Sequence, residues 1–208
     1  MYVFTARKNQ RLIVTNRQFS IIIGSLLGDA YISPLGKIQF EQSDKQSDYL
    51  KWKFSELKNI SYNKISYVER NKNGVVTKSY RFWTRQFFRP LREMFYKDGR
   101  KHISDDLLEL ISPFSLAVWH MDDGHFEKRT ERCIFATDGF NSNDLKKLIN
   151  FLKQRFNLNA TIKNGKKLML NKNESKKFFK IIDDYYLDCM KYKFNPLTTK
   201  IKNLDKVF

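Results

Sequence analysis

Two aspartates, Asp29 and Asp123, stand at matching points of two short apolar segments, residues 21–30 and 116–124. Each segment has the length of a short helix, carries small residues, and places its aspartate beside a glycine or alanine. Two such helices, packed side by side, would bring the two carboxylates together at their shared ends. Helix C-termini also expose carbonyl oxygens with partial negative charge, and carboxylate and carbonyl oxygens together suit Mg²⁺. The pair therefore predicts a magnesium site.

The charge of the chain indicates what such a site would act on. Of its 208 residues, 39 are Lys or Arg and 22 are Asp or Glu, which gives a formal net charge of +17. So basic a chain favours a polyanionic partner, and nucleic acid is favoured over a membrane surface because the basic residues are spread along the whole sequence. Mg²⁺ held by two acids could activate water and stabilise the charge of a phosphate under attack. The first hypothesis is therefore a nuclease.

Other kinds of site fit the residues less well. Cys133 and Cys189 have no second Cys or His at ligand spacing, so a zinc site is not expected and a reducing compartment is the default. His120 and His125 lie near Asp123, but water activated by a metal needs no separate general base. No apolar stretch reaches the roughly 18 residues of a membrane span, so no membrane partner is expected.

The two halves of the chain repeat one order of elements. When they are aligned on the aspartates, each continues with a strand-like run, an amphipathic helix, a hairpin and an aromatic-rich helix. The hairpin signals are Asn73-Gly74 and Asn164-Gly165, since Asn and Gly accept the positive φ that a tight hairpin turn requires. The helix before the second hairpin is predicted to have Ser142 as its N-cap. An aspartate beside glycine is common in turns, but two at equivalent points of a repeat favour a functional site.

This order predicts an α+β fold of two pseudo-symmetric αββαββα repeats, with antiparallel sheets and the two apolar helices packed at the centre. We expect an N-terminal arm over residues 1–17, a first repeat over 18–110 and a second over 111–208, in one compact pseudo-twofold unit. Gly24 and Gly28 on the first central helix would allow the two helix backbones to approach closely.

Residues 26–32 (Leu-Leu-Gly-Asp-Ala-Tyr-Ile) and 112–124, together with 37–41, resemble the paired signature of the LAGLIDADG homing endonucleases, in the single-chain branch with two motifs. The resemblance extends from about residue 18 to residue 194, and Ala30 stands where a motif glycine is usual. It implies a saddle of two antiparallel sheets over a long, asymmetric site in double-stranded DNA. It also implies a monomer that cleaves both strands with Mg²⁺, for which Mn²⁺ or Ca²⁺ substitutes in binding.

The resemblance implies catalytic and metal-binding roles by position. The last acid of each motif is the catalytic residue and a metal ligand, the backbone carbonyl before it faces the metal, and one basic residue lies near each active site. In this sequence those positions are Gly28, Asp29 and Lys101 in the first half and Asp122, Asp123 and Lys193 in the second. Glu41 corresponds to a polar position beside the metal site, and its counterpart is Ala136 or Thr137. The two halves are therefore expected to be unequal and to bind an asymmetric DNA site.

The two predicted hairpins carry alternating basic and polar residues and fit the major groove, where Arg and Lys bind guanine and polar side chains bind adenine. Contact with phosphate alone is the alternative for each lysine, since phosphate and sugar take over half of protein–DNA hydrogen bonds. The residues expected at the DNA are Gln39, Glu41, Arg70, Lys72, Lys78 and Arg81 in the first half, and Lys163, Lys166, Lys167 and Lys172 in the second.

Functions other than cleavage also remain open. The family includes maturases that assist the splicing of their own introns, so intron RNA is a second candidate partner, with or without residual DNA cleavage. A DNA-binding module that had lost cleavage would lack one acid, and this chain has both. Cleavage that promotes intron mobility is the leading hypothesis. Enrichment in Lys, Asn, Ile, Phe and Tyr is typical of an AT-rich genome, so an organelle is predicted as the compartment, the mitochondrion ahead of the chloroplast.

Overall fold

The computed structural model of the protein describes residues 1–6 and 9–194. The first half begins with a hairpin and continues in the order helix, two strands, helix, hairpin, helix. Its elements are β1 (Tyr2–Thr5), β2 (Arg11–Val14), α1 (Asn16–Leu27), β3 (Tyr31–Ile32), β4 (Ile38–Ser43), α2 (Ser47–Leu57), β5 (Ser66–Lys72), β6 (Val75–Trp83) and α3 (Arg89–Phe95). A short hairpin and a short helix then lead to the second half, namely β7 (Tyr96–Lys97), β8 (Arg100–Lys101) and α4 (Asp105–Glu109).

The second half repeats the order of the first. Its elements are α5 (Pro113–Asp123), β9 (Gly124–Glu127), β10 (Arg132–Phe135), α6 (Ser142–Phe156), β11 (Ala160–Lys163), β12 (Lys167–Leu170) and α7 (Lys172–Ile182). The two four-stranded sheets are antiparallel and have matching strand orders, β3-β4-β6-β5 and β9-β10-β12-β11. The predicted α+β fold of two αββαββα repeats is confirmed.

Local sequence signals explain where the central helices begin and where the hairpins turn. Both helices start with a capping box, formed by Thr15 and Gln18 at α1 and by Ser112 and Ser115 at α5, which satisfies free N–H groups of the first turn. The four turn residues named above all have positive φ, from +53° to +79°, so the two predicted hairpins are confirmed. At α6 the N-cap is Asn141, whose Oδ1 accepts from the Asp144 N–H at 2.9 Å. The prediction of Ser142 was wrong by one residue.

The two central helices are in close contact, and glycine makes this possible. A Cβ on Gly24 would lie 2.4 Å from the Ser115 carbonyl oxygen and 2.7 Å from the Val118 Cβ, and a Cβ on Gly28 would lie 2.5 Å from the Asp122 Cβ. These are distances that real Cβ atoms do not show, so only glycine fits at both positions. The close contact aligns the C-terminal ends of α1 and α5 beside each other.

Further observations concern the two ends of the chain and the expectation that no segment spans a membrane. In the predicted arm, residues 1–17, the described residues include the antiparallel strands β1 and β2 and the first two residues of α1. Residues 195–208 of the predicted second repeat lie outside the described residues. No helix among the described residues is both long enough and apolar enough to cross a membrane.

Candidate metal and nucleic-acid site

The site lies where α1 and α5 end. Gly28 is the C-cap of α1 and Asp29 follows it, exposed to solvent, while Asp123 is the last residue of α5 and is half-buried. Burial, and after it the nearby negative charges of Asp29 and Asp122, raise the pKa of the Asp123 carboxyl to about 7. The structure therefore brings the two predicted aspartates into one electrostatic environment.

A lysine caps the end of each central helix. The Lys101 Nζ donates to the Gly28 carbonyl oxygen at 2.5 Å. The Lys193 Nζ donates to the carbonyl oxygens of Met121 and Asp122 at 2.7 Å and 2.5 Å. The partial negative charge of a helix C-terminus favours a cation at this position. Burial lowers the pKa of both ammonium groups, and the aspartates of the site oppose that change.

The donor atoms of the site fit a hard divalent cation. Two carboxylates, from Asp29 and Asp123, stand beside the carbonyl oxygens of Gly28 and Asp122, and oxygen is the ligand that Mg²⁺ prefers. A cation between the acids would also relieve the repulsion that helps to raise the Asp123 pKa. Among the residues that the structure describes, no three His, Cys, Asp or Glu side chains are grouped to hold a metal. Backbone and phosphate oxygens would therefore have to complete the ligand set.

Two residues that contact the site directly were missed in the sequence. The Gln42 Nε2 donates to the Asp29 Oδ2 at 3.0 Å and to the Asp122 Oδ1 at 3.3 Å. The Lys53 Nζ lies 2.6 Å and 2.9 Å from the two Asp122 carboxylate oxygens. A signal was present in the sequence, because each is a polar residue at a position where the pattern of the strand or helix expects an apolar one. Gln42 shares the buried face of β4 with Phe40, and Lys53 lies on the buried face of α2.

Glu41 lies one residue from Gln42 and points the other way, towards the outer face. The outer face is the face of each sheet that points away from the packed core. The Glu41 carboxylate accepts from Arg70 Nη1 at 2.5 Å and from Ser79 Oγ at 2.7 Å. The Arg70 contact is the main reason why the pKa of Glu41 is lowered. Glu41 and Asp29 line one cleft, but the side chain that contacts Asp29 is Gln42.

The strand register shows which predicted DNA-contacting residues of the first half share a face. Residues directly opposite each other in an antiparallel pair lie on the same face, and successive residues alternate. The pairs of β4, β5 and β6 place Lys78 opposite Glu69, on the face away from Glu41, at a distance of 4.0 Å from the Glu69 carboxylate. Lys78 therefore does not share a face with the other predicted DNA-contacting residues of the first half. Those on the outer face are Gln39, Glu41, Arg70, Lys72 and Arg81.

In the second half, three of the four predicted lysines belong to the hairpin. Lys163 and Lys167 are directly opposite each other on the outer face, and Lys166 lies in the turn between them. Like charges directly opposite each other are destabilising, and a bound polyanion would relieve that repulsion. Lys172 was predicted beside this hairpin, but it is the first residue of α7 and pairs with Glu131. Lys172 was placed with the hairpin because β12 is short and α7 begins two residues after the strand ends.

The two histidines near Asp123 differ in position. His120 is fully buried, and its Nδ1 lies 3.0 Å from the Tyr186 hydroxyl oxygen. Burial lowers the pKa of its imidazole to about 3, so the ring is neutral near neutral pH. His125 is exposed on β9 and lies on the outer face opposite Ile134. His120 is therefore a core residue.

Known proteins resemble the chain over most of its length. The model of the LAGLIDADG DNA endonuclease family matches residues 19–178. Probable intron-encoded endonuclease 1 of Wickerhamomyces canadensis is 30% identical over 203 residues, which cover 89% of this chain and 87% of that protein. The solved structure of the homing endonuclease I-WcaI bound to its DNA recognition sequence has a TM-score of 0.80 at 28% identity, and covers 88% of this chain and 89% of that one.

Other relatives are longer than this chain. A protein RecA of Mycolicibacterium chitae is 28% identical over 212 residues, which cover 88% of this chain and 47% of that protein, so the chain spans about half the length of this relative. Cytochrome b mRNA maturase bI2 of Debaryomyces hansenii is 29% identical over 153 residues, which cover 68% of this chain and 58% of that protein. The residues matched by the family model include both candidate aspartates, whereas Lys193 lies beyond them.

Proposed function

The chain belongs to the LAGLIDADG DNA endonuclease family, and from this premise we propose that it is a homing endonuclease that cleaves both strands of a long, asymmetric DNA site with a divalent metal ion. The observation that carries the proposal is the convergence of Asp29 and Asp123 at the ends of two packed helices, with a lysine at each helix end. The likeness to a DNA-bound homing endonuclease and to an intron-encoded endonuclease supports it.

The reaction is hydrolysis of a phosphodiester. The bond between phosphorus and O3′ breaks, a bond between phosphorus and a water oxygen forms, O3′ gains a proton and the water loses one. Mg²⁺, when bound, supplies positive charge at the phosphate and makes water a better nucleophile. Asp29 and Asp123 would hold the cation, and each would serve chiefly one strand. Lys101 and Lys193 place ammonium groups beside the site, where they would stabilise negative charge on the phosphate oxygens.

The outer faces of the two sheets would bind the DNA. They present basic side chains at Arg70, Lys72 and Arg81 in the first half and at Lys163 and Lys167 in the second. A two-stranded ribbon fits the major groove, and these cations can contact guanine or phosphate. Because one chain supplies both sheets and both aspartates, we propose that the monomer is the active form.

The test uses the full chain and a DNA library. Purified protein is incubated with Mg²⁺ and plasmids that carry random inserts. We expect linear products from a few related sequences, and no products when the metal is chelated. Absence of cleavage across the library, or cleavage that persists in chelator, would contradict the proposal.

A second function is favoured by one observation, the likeness to a cytochrome b mRNA maturase. The alternative is a maturase that binds intron RNA and assists its splicing. That role would not need the metal-holding carboxylate of Asp29, so Asp29→Asn should still bind the RNA and promote splicing. The same relative and the intron-encoded endonuclease support an organellar location, which we propose as the site of action.

A further inference from the structure

The segment that carries Lys101 is a very short hairpin between the two halves. β7 and β8 have two residues each and are joined by Asp98 and Gly99, both at positive φ. Such a hairpin has little stability of its own, because an isolated two-stranded hairpin is marginally stable at best. Contacts with the rest of the chain must therefore set its position, and with it the position of the Lys101 ammonium group at the Gly28 carbonyl oxygen.

The first half holds one side of this hairpin. The His102 N–H donates to the Phe95 carbonyl oxygen at 2.8 Å, which ties the backbone just after β8 to the end of α3. The Tyr96 ring meets the Tyr31 ring edge-on, with 6.0 Å between the ring centres, and the Arg92 guanidinium lies 4.5 Å from the Tyr96 ring centre. These contacts hold the base of the hairpin against α3 and β3.

The second half holds the other side through one buried acid. The His102 Nδ1 lies 3.0 Å from the Asp144 Oδ1, and the Asp144 side chain is only 3% exposed. A carboxylate only accepts hydrogen bonds, so the His102 Nδ1 is the donor. Asp144 is itself fixed, since Asn141, the N-cap of α6, donates to its other carboxylate oxygen at 2.8 Å and accepts from its N–H. The His102 imidazole is thus tied to the start of a helix of the opposite half.

An open cleft lies beside this hydrogen bond. It has a volume of about 630 Å³ and is lined by the hairpin on one side and by residues 138–141 on the other. Close packing therefore does not lock this side of the hairpin, and the bond between His102 and Asp144 joins it to the second half. Lys101 is the neighbour of His102 and lies 2.5 Å from the Gly28 carbonyl oxygen. A shift of about 1 Å in the hairpin would be enough to break that contact.

The other lysine of the site has a different anchor. Lys193 is followed by Phe194, which is buried and has its ring centre 4.7 Å from that of Phe179 in the same half. On the other side of Lys193, the Tyr192 hydroxyl accepts from the Gln46 amide of the first half at 2.7 Å. Tyr192 is 59% exposed, so water can replace that bond and its net contribution is small. Lys193 is therefore held chiefly by its own half.

We infer that His102, held by Asp144, is a positioning residue for Lys101, so that the second half of the chain sets where the ammonium group of the first half lies. The inference deepens the proposed function and rests on it. It makes the site depend on the contact between the halves in one direction, because Lys101 is placed across that contact and Lys193 is not. When the bond is lost, we expect the hairpin to move and Lys101 to leave the helix end, while the outer faces still bind DNA.

The first measurement follows the hairpin itself, by hydrogen exchange of the full chain without DNA or metal. In His102→Leu and Asp144→Leu we expect residues 96–103 to exchange about tenfold faster, as for a lost hydrogen bond to a charged group, while α1 and α5 keep wild-type rates. The double variant should be no faster than either single one, because both changes remove the same bond. His102→Asn should restore slow exchange, since its amide nitrogen lies close to the position of Nδ1 and also donates.

The second measurement compares the single-turnover cleavage rate with the affinity for DNA in Ca²⁺, where no cleavage is needed. His102→Leu should lower the rate by about tenfold and leave the affinity unchanged, and His102→Asn should recover most of the rate. Recovery by asparagine would also exclude proton transfer by the imidazole, because an amide does not titrate. Tyr192→Phe is the matched control, since it removes a bond between the halves beside the other lysine. It should change neither exchange nor rate by more than about twofold.

Three outcomes would overturn the inference. They are wild-type exchange of residues 96–103 in both leucine variants, a cleavage loss that His102→Asn does not recover, and an equal loss in Tyr192→Phe. Failure of both leucine variants to fold would overturn it as well, because the pair would then be needed for folding and not for position. Wild-type protein that cuts no DNA would instead refute the proposed function, whereas hydrogen exchange would still decide whether Asp144 holds the hairpin.

Discussion

Replacement of Lys53 by methionine should destabilise the protein strongly. Methionine keeps most of the volume of the lysine stem but removes the ammonium group, which lies 2.6 Å from the Asp122 Oδ1 in a site closed to solvent. The carboxylate of Asp122 would then be buried without its cation. Loss of one partner of a buried pair costs about 3–5 kcal/mol. A folded domain is stable by only about 5–15 kcal/mol, so the change should be easy to measure.

The assay is urea unfolding followed by circular dichroism, on four proteins that form a double-mutant cycle. These are the wild type, Lys53→Met, Asp122→Leu and the double variant. We expect both single variants to unfold at much lower urea than wild type, and the double variant to recover most of the loss because it leaves no unpaired charge. Lys51→Met on the same helix is the control, since Lys51 pairs with Asp48 in solvent and should contribute little.

The pH dependence supplies an independent check. Burial raises the pKa of Asp122, so its carboxyl takes up a proton at higher pH than an exposed aspartate. A neutral carboxyl needs no cation, and the destabilisation caused by Lys53→Met should therefore shrink as the pH falls. A Lys53→Met protein that unfolds at the wild-type urea concentration, or a double variant as unstable as the single one, would refute the reasoning.

Three other predictions follow from the same structure. Gly28→Ala should lower the free energy of unfolding by about 1–3 kcal/mol, since its Cβ would lie 2.5 Å from the Asp122 Cβ; an unchanged urea midpoint would contradict the close contact of the helices. His120, with a pKa lowered to about 3 from 6.5, binds a proton only in the unfolded chain between those values. Stability should therefore fall as the pH falls below 6.5, by up to about 1.4 kcal/mol per pH unit, and His120→Phe should flatten that slope. Lys167→Gln should reduce the slope of log affinity for DNA against log salt by about 0.9 if its ammonium contacts a phosphate, whereas Lys172→Gln on α7 should leave it unchanged.

Features governed by local sequence could be predicted. The Asn-Gly pairs predicted both hairpins correctly, because Asn and Gly accept positive φ whatever the distant contacts of the chain are. The repeat placed Asp29 and Asp123 at corresponding helix ends because both aspartates follow apolar helical segments. Gly24 and Gly28 indicated close helix contact, because glycine has no side chain to hold two helix backbones apart.

Features that depend on contacts between distant elements, or on the exact register and end of a strand, could not be predicted. The ion pair of Lys53 with Asp122 joins α2 to the end of α5, and no pattern within either segment names the partner of the other. Glu41 and Gln42 are neighbours in β4, so a shift of one residue in strand register decides which of them faces Asp29. Lys172 was assigned to a hairpin because the strand ends two residues earlier than the charge pattern suggests.

The most direct test of the central claim is cleavage of the identified DNA target by three variants in Mg²⁺. Asp29→Asn and Asp123→Asn each remove one negative charge from the site with almost no change in shape, and Asp105→Asn makes the same change at an exposed position on α4. If the paired aspartates form the catalytic centre, neither site variant produces double-strand breaks, and Asp105→Asn cuts as wild type does. Double-strand cleavage by Asp29→Asn or Asp123→Asn at the wild-type rate would contradict the assignment of these carboxylates.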